Sequence, residues 1–224
     1  MTRIEPIGQN IWLLRYPLSL LGVSLGRNVT IMRLVGGELI IHSTAPFTAE
    51  DVVAIRALGE PGWLVEATLF HDTFAKQGRQ AFPALPYLAP EAFAKSTGLD
   101  TYPFDEILPA AWGNEISVLK LEGIPKLQEI VMLHRPSRTL IVADLVFNWG
   151  PTDSWWENFV RRRMMGIARF PGMSRLFRMN IRNHSAFANS VDTMLSWDFD
   201  RLVVAHGEVI STGAKRALSK ALGR

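Results

Sequence analysis

Three apolar runs in this chain lead into side chains able to bind a metal ion. The run WLVEATLF ends at His71 and Asp72, TLIVADLVF carries Asp144, and RLVVAHGEV carries His206. Two imidazoles and two carboxylates suit a hard or borderline divalent cation such as zinc, manganese or iron. Such a cation would acidify water and polarise an ester, amide or phosphate oxygen. The chain has no cysteine. Disulfides and thiolate ligands are therefore excluded, and any metal must rest on His, Asp or Glu. Each candidate also has a plain structural use. His206, followed by Gly207, could bond to backbone at a turn, Asp144 could cap a turn, and Asp72 could be the N-cap of the next helix. His42 and His134 are expected to be structural, through packing and a local hydrogen bond. Glu66 interrupts an apolar strand, where an unpaired carboxylate is costly, so it should pair with an arginine or lie on a sheet edge.

A rigid framework must bring these residues together, and the pattern supplies one. Asn10 to Leu14 and Val29 to Val35 read as strands. Gly36-Gly37 marks a hairpin turn, and Glu38 to His42 returns from it. Thr48 with Asp51 three residues later forms a capping box at a helix start. A buried strand follows at Trp63 to Thr68, then a short helix, a strand around Tyr87-Leu88 and a helix from Pro90. The pattern restarts with strands at Ile116 to Leu121, Glu129 to Leu133 and Thr139 to Ala143. Helices are expected over Ser154 to Ala168, Met173 to Ile181 and Ser185 to Ser196, then a strand at Arg201 to Ala205 and a last helix at Thr212 to Leu222. Two β-rich halves, each followed by helices, imply sheet packed on sheet with helices outside. A chain of 224 residues, 48% hydrophobic and 20% charged, fits one such domain over residues 1–224.

At these residues the chain resembles the metallo-β-lactamase-like hydrolases, a superfamily with a four-layer αββα sandwich. LIVADLVF (140–147) resembles that family's strand ending in a bridging Asp. LVVAHGEVI (202–210) resembles its last His turn, and the hairpin from Val29 to Thr44 its early strand pair. The order of elements matches over nearly the whole chain. The departures are specific. The family's His-x-His-x-Asp-His loop is replaced by Thr68-Leu69-Phe70-His71-Asp72-Thr73-Phe74, and no His stands near Leu121-Glu122-Gly123, where Glu122 is the available substitute. The resemblance therefore implies a reduced, mononuclear site in an uncharacterised branch. His71, Asp72, Asp144 and His206 would be the ligands, and His71 and Asp72 would serve the chemistry, with Asp72 a fourth ligand or the base acting on water. The implied activity is hydrolysis of an ester-, thioester- or phosphoester-like small molecule. The alternative is a non-catalytic descendant that binds a ligand or partner, with no metal.

Charge is unevenly spread. Between Glu157 and Asp192 lie seven arginines (Arg161, Arg162, Arg163, Arg169, Arg175, Arg178 and Arg182) and no acid, against a net charge of +3 for the chain. They alternate with Trp, Phe and Met. The segment, about 150–184, reads as a basic helical insertion, either a cap with solvated arginines or a face for a membrane surface or an acidic partner. No nucleic-acid-binding module is visible, and nucleic acid is not expected. Neither a signal peptide nor an apolar run long enough to cross a bilayer is evident. Together with the lack of cysteine, this suggests a cytoplasmic protein, peripheral to a membrane if the basic segment docks there.

Overall fold

The structure, a computed structural model, describes residues 4–104 and 108–224. The first half supplies strands β1 (Glu5–Gly8), β2 (Ile11–Tyr16), β3 (Ser19–Leu20), β4 (Val23–Ser24), β5 (Arg27–Arg33), β6 (Glu38–His42), β7 (Glu60–Val65), β8 (Tyr87–Ala89) and β9 (Tyr102–Pro103). The second supplies β10 (Ile116–Lys120), β11 (Ile130–His134), β12 (Thr139–Val142) and β13 (Arg201–Val204). One sheet runs β1-β2-β5-β6-β7-β8-β9 and the other β10-β11-β12-β13, while β3 and β4 form a separate hairpin. The helices are α1 (Ala49–Arg56), α2 (Ala75–Ala81), α3 (Phe93–Thr97), α4 (Trp155–Phe159), α5 (Arg175–Asn180), α6 (His184–Ser196) and α7 (Ala214–Leu222).

The alternation of side chains along the strands makes the layers. Ile11 and Leu13 on β2 and Met32 on β5 meet Ile130 and Met132 on β11, Ile141 on β12 and Val203 on β13 in a core between the sheets. Their neighbours Leu14 and Ile31 turn the other way and pack with Ile55 of α1, Ala75 of α2 and Phe93 of α3. Val131, Leu133, Leu202 and Val204 turn outward from the second sheet onto Phe177, Val191, Met194 and Leu218 of the later helices. The result is helix, sheet, sheet, helix, as the pattern implied.

Local signals explain the joints. Gly37, at φ 92°, turns β5 into β6. Thr48 caps α1 by accepting from the Asp51 amide while the Asp51 carboxylate accepts from the Thr48 amide, so the capping box forms. Strand β7 differs from its sequence reading. It begins at Glu60, because pairing with β6 starts at Glu38, and it ends at Val65, so Glu66 to Phe70 is free to turn toward the second sheet. The single helix expected over Ser154 to Ala168 is shorter. Helix α4 passes at Val160 into one π turn ending at Met164. No helix among the described residues is long and apolar enough to cross a membrane.

Candidate metal centre

The site forms where three segments leave their strands at one rim. His71 follows β7, Asp144 follows β12, and His206 follows β13. Strands β12 and β13 run parallel, with Val142 opposite Val204, so both chains emerge in the same direction and set Asp144 beside His206. His71 comes across from the first half. Each of the three offers one donor atom, and these atoms lie within 4.8 Å of one another. Asp144 sits between the imidazoles, its Oδ1 3.5 Å from His71 Nε2 and 3.5 Å from His206 Nε2. All three residues are buried.

Surrounding atoms fix the rings. His206 Nδ1 lies 2.6 Å from the Gly26 carbonyl, which can only accept, so Nδ1 carries the proton and Nε2 presents a lone pair toward Asp144. Phe147 stacks on the His206 ring at 5.4 Å and 10°. Next in the chain, Gly207 has φ 118°, and a Cβ there would fall 2.1 Å from the Asn148 carbonyl oxygen. Only glycine fits that approach. Asn28 closes the joint by donating to the carbonyls of Val204 and Gly207.

Behind His71 lies a buried polar cluster. Glu66 accepts from Ser43 Oγ (3.1 Å), Thr44 Oγ1 (2.7 Å) and Tyr87 OH (3.0 Å), and its Oε1 is 3.5 Å from His71 Nδ1. Arg27, itself fully buried, donates to Ser43 Oγ at 2.9 Å. The arginine pairing that its place in an apolar run had suggested is therefore indirect: among the described residues Glu66 makes no direct ion pair with an arginine, and the Ser43 hydroxyl bridges it to Arg27 instead. The second hidden carboxylate is Glu129, which accepts from the amides of Ala143 (3.0 Å), Asp144 (2.9 Å) and Leu145 (3.1 Å). It holds the turn that aims Asp144. Nothing in the sequence marked Glu129, because its partners are backbone amides.

Electrostatics follow from this packing. Burial opposes charge on Asp144, but His71 and His206 outweigh it and hold the carboxyl well below the usual range. Burial and Arg27 disfavour a charged His71, yet Asp144 and Glu66 prevail and raise it. In His206 burial dominates over Asp144, and the pKa is lowered. Burial and then Asp144 push Glu129 up to about 8, with the three amide donors pulling the other way.

The donor set fits a cation. Both ring nitrogens of His71 are buried without a hydrogen-bond partner; the 3.5 Å contacts are too long to satisfy them. Two imidazole nitrogens, one ionised carboxylate and an open side toward a pocket match a three-ligand site. The pocket, of about 520 Å³, reaches the surface between Leu18, Leu25, Phe70, Met165 and Phe177, with His71, Asp144, His206 and Arg27 at its base. Asp72 is not part of this. It is exposed, while its neighbours His71 and Thr73 line the pocket. Its carbonyl accepts from the Ala75 amide, so the chain is already turning into α2, and Asp72 is not among the three residues whose donor atoms converge. Nor is it the cap of that helix, which begins after Phe74. Glu122 is exposed beside a different cavity, with Val118 and Ser190.

Solved structures share this architecture over nearly all of the chain. A metallo-β-lactamase from Pontibacter korlensis is 14% identical with a TM-score of 0.68, covering 100% of this chain and 98% of its own. FIM-1 from Pseudomonas aeruginosa, in a mono-zinc form, is 12% identical with a TM-score of 0.64, covering 99% and 95%. The fold is that of the metallo-β-lactamases. A third example, from Erythrobacter litoralis, is 14% identical with a TM-score of 0.67, covering 98% and 94%. No family model matches the chain, and neither does any curated protein. On this metallo-β-lactamase fold the chain carries a small His/Asp group at the rim, with Glu66, Ser43 and Thr44 behind it.

His42 and His134 lie outside the group. Burial lowers each to about 4. Both are neutral in the fold and take up protons on unfolding below the ordinary histidine value of 6.5. Their stabilising effect is complete above pH 6.5 and is lost as pH falls toward 4, up to about 3 kcal/mol each. The urea midpoint should fall over that window. His134→Asn, whose amide can replace Nδ1 against Ser137 Oγ (2.7 Å), should remove about half of these two residues' share. An unchanged acid limb in that variant would show that His134 is not held neutral.

Proposed function

We propose that His71, Asp144 and His206 hold one divalent cation, and that the protein is a metal-dependent hydrolase of an ester-, thioester- or phosphoester-like small molecule. The observation that carries this is the convergence of three buried donors at the base of an open pocket. A cation held there would supply Lewis acidity and lower the pKa of water. The protein's own part is orientation. Gly26 holds the His206 proton on Nδ1, leaving Nε2 free. Glu66 lies 3.5 Å from Nδ1 of His71, and Asp144 lies 3.5 Å from its Nε2. Glu129 fixes the main chain at Asp144. Apolar side chains, Leu25, Phe147 and Phe177 among them, wall the pocket, and Arg27 brings a positive charge to it.

Metal analysis tests the proposal. After purification without a metal-affinity tag and dialysis against zinc, manganese or iron, the protein should retain about one equivalent of one of them, as a three-ligand site would. Asp144→Ala and His206→Ala should each weaken retention by at least about 100-fold, since even losing a supporting partner costs about 10- to 100-fold. A metal-free wild type, or variants that keep their metal, would refute the reading and leave a cleft that binds without turnover.

A further inference from the structure

The mouth of the pocket carries apolar side chains that nothing in the fold covers. Leu20 (57% exposed), Leu21 (61%), Met164 (45%) and Leu176 (56%) all line it and all face solvent. Beside them Trp155 (75% exposed) and Phe159 flank Trp156 in a continuous aromatic row. The Trp156 indole donates to the Leu21 carbonyl at 3.0 Å, which ties helix α4 to the β3–β4 hairpin and makes one surface of the two. Solvent-facing apolar patches of this kind mark interaction sites.

Along residues 150–184 arginines outnumber acids seven to two, the acids being Asp153 and Glu157, and Glu157 is paired with Arg161. Arg162, Arg163, Arg169, Arg175, Arg178 and Arg182 are exposed, and among the described residues none is in an ion pair. Arg161 differs from its sequence reading. It is buried against Glu157 at 3.0 Å and over the Trp149 ring, so it belongs to the framework and not to the basic face. With seven arginines and no acid between Glu157 and Asp192, the rest of the chain is net negative by about four charges.

We propose that this rim docks on an anionic lipid bilayer, with the pocket mouth facing the membrane. The surface comes from a hairpin tip, helices α4 and α5 and a π turn, and its Trp, Phe, Leu and Met side chains would enter the headgroup boundary while arginines meet phosphate and carboxylate groups. Repulsion of the acidic remainder would orient the molecule. An acidic protein partner is the competing occupant. The row of aromatics standing proud among arginines suits a yielding apolar layer better than a fixed surface.

Co-sedimentation of the full-length protein with vesicles decides it, and does so independently of any metal or activity. Binding should occur with phosphatidylcholine vesicles containing phosphatidylserine and be at least about tenfold weaker without it. Raising salt from about 0.05 to about 0.5 M should weaken it similarly. Trp155→Ala with Leu176→Ser, and separately Arg162→Glu with Arg163→Glu, should each lower binding about tenfold, whereas Arg216→Glu with Lys220→Glu on α7 should change it less than about twofold. No binding to phosphatidylserine vesicles at low salt, equal binding to both vesicle types, or an equal loss in the α7 variant would overturn the proposal.

Discussion

Replacing Glu129 with alanine should destabilise the protein by about 3–6 kcal/mol. The carboxylate is wholly buried and is the acceptor for three successive amides, those of Ala143, Asp144 and Leu145. Each amide stranded without an acceptor costs about 1–3 kcal/mol. The loss is partly offset, because burying this polar carboxyl beside Asp144 is itself costly, as its pKa of about 8 reflects. Three orphaned donors outweigh that relief. Glu129→Gln should fall between, since its carbonyl oxygen can still accept while its NH2 confronts an N–H donor. The sign with pH is also set. The folded pKa is above the ordinary value of 4.5, so the proton favours the fold, and this contribution declines as pH rises from about 4.5 to 8. Urea unfolding of the three proteins checks both claims. An alanine variant within about 1 kcal/mol of wild type would mean that other acceptors can take over the amides.

Glu66→Leu should cost about 3–5 kcal/mol, because it strands a charge. Arg27 is fully buried with its Nε unpartnered, and Ser43 links it to Glu66. Removing one of two buried charges bridged in this way leaves the other uncompensated. Thr44 and Tyr87 also lose their acceptor. The double variant Glu66→Leu with Arg27→Met should recover at least about 1 kcal/mol of the loss, since both charges then leave the interior together. If Arg27→Met brings no recovery, the two side chains are not coupled. The same Glu66 variant should lower the His71 pKa, because Glu66 is among the groups that raise it, and the imidazole resonances would report the change.

Much of this was readable from the sequence, for physical reasons. The β5–β6 hairpin follows from strand patterning around Gly36-Gly37, and the α1 start from the Thr48–Asp51 reciprocity. His71, Asp144 and His206 stood out because each ends an apolar run, and parallel strands deliver their ends to one rim. Asp72 adjoins the group without joining it: of two neighbouring residues in the turn after β7 only His71 is buried, and that choice depends on tertiary packing that leaves no local pattern. The polar layer behind the site was the least legible part. Glu129 answers to amides and Arg27 to a serine hydroxyl, and neither kind of partner leaves a mark in composition or periodicity. Glu66 was noticeable as an acid in an apolar strand, but its partners lie on β8 and the Ser43-Thr44 turn.

His71 belongs to the half built around the larger sheet, while Asp144 and His206 belong to the other. Any ion shared among them would tie the two halves as a covalent link does, closing stretches of roughly 70 and 60 residues whose chain entropy the unfolded protein would otherwise keep. Stripping the ion with a chelator would loosen that clasp, and calorimetry should register the change even where no substrate is known.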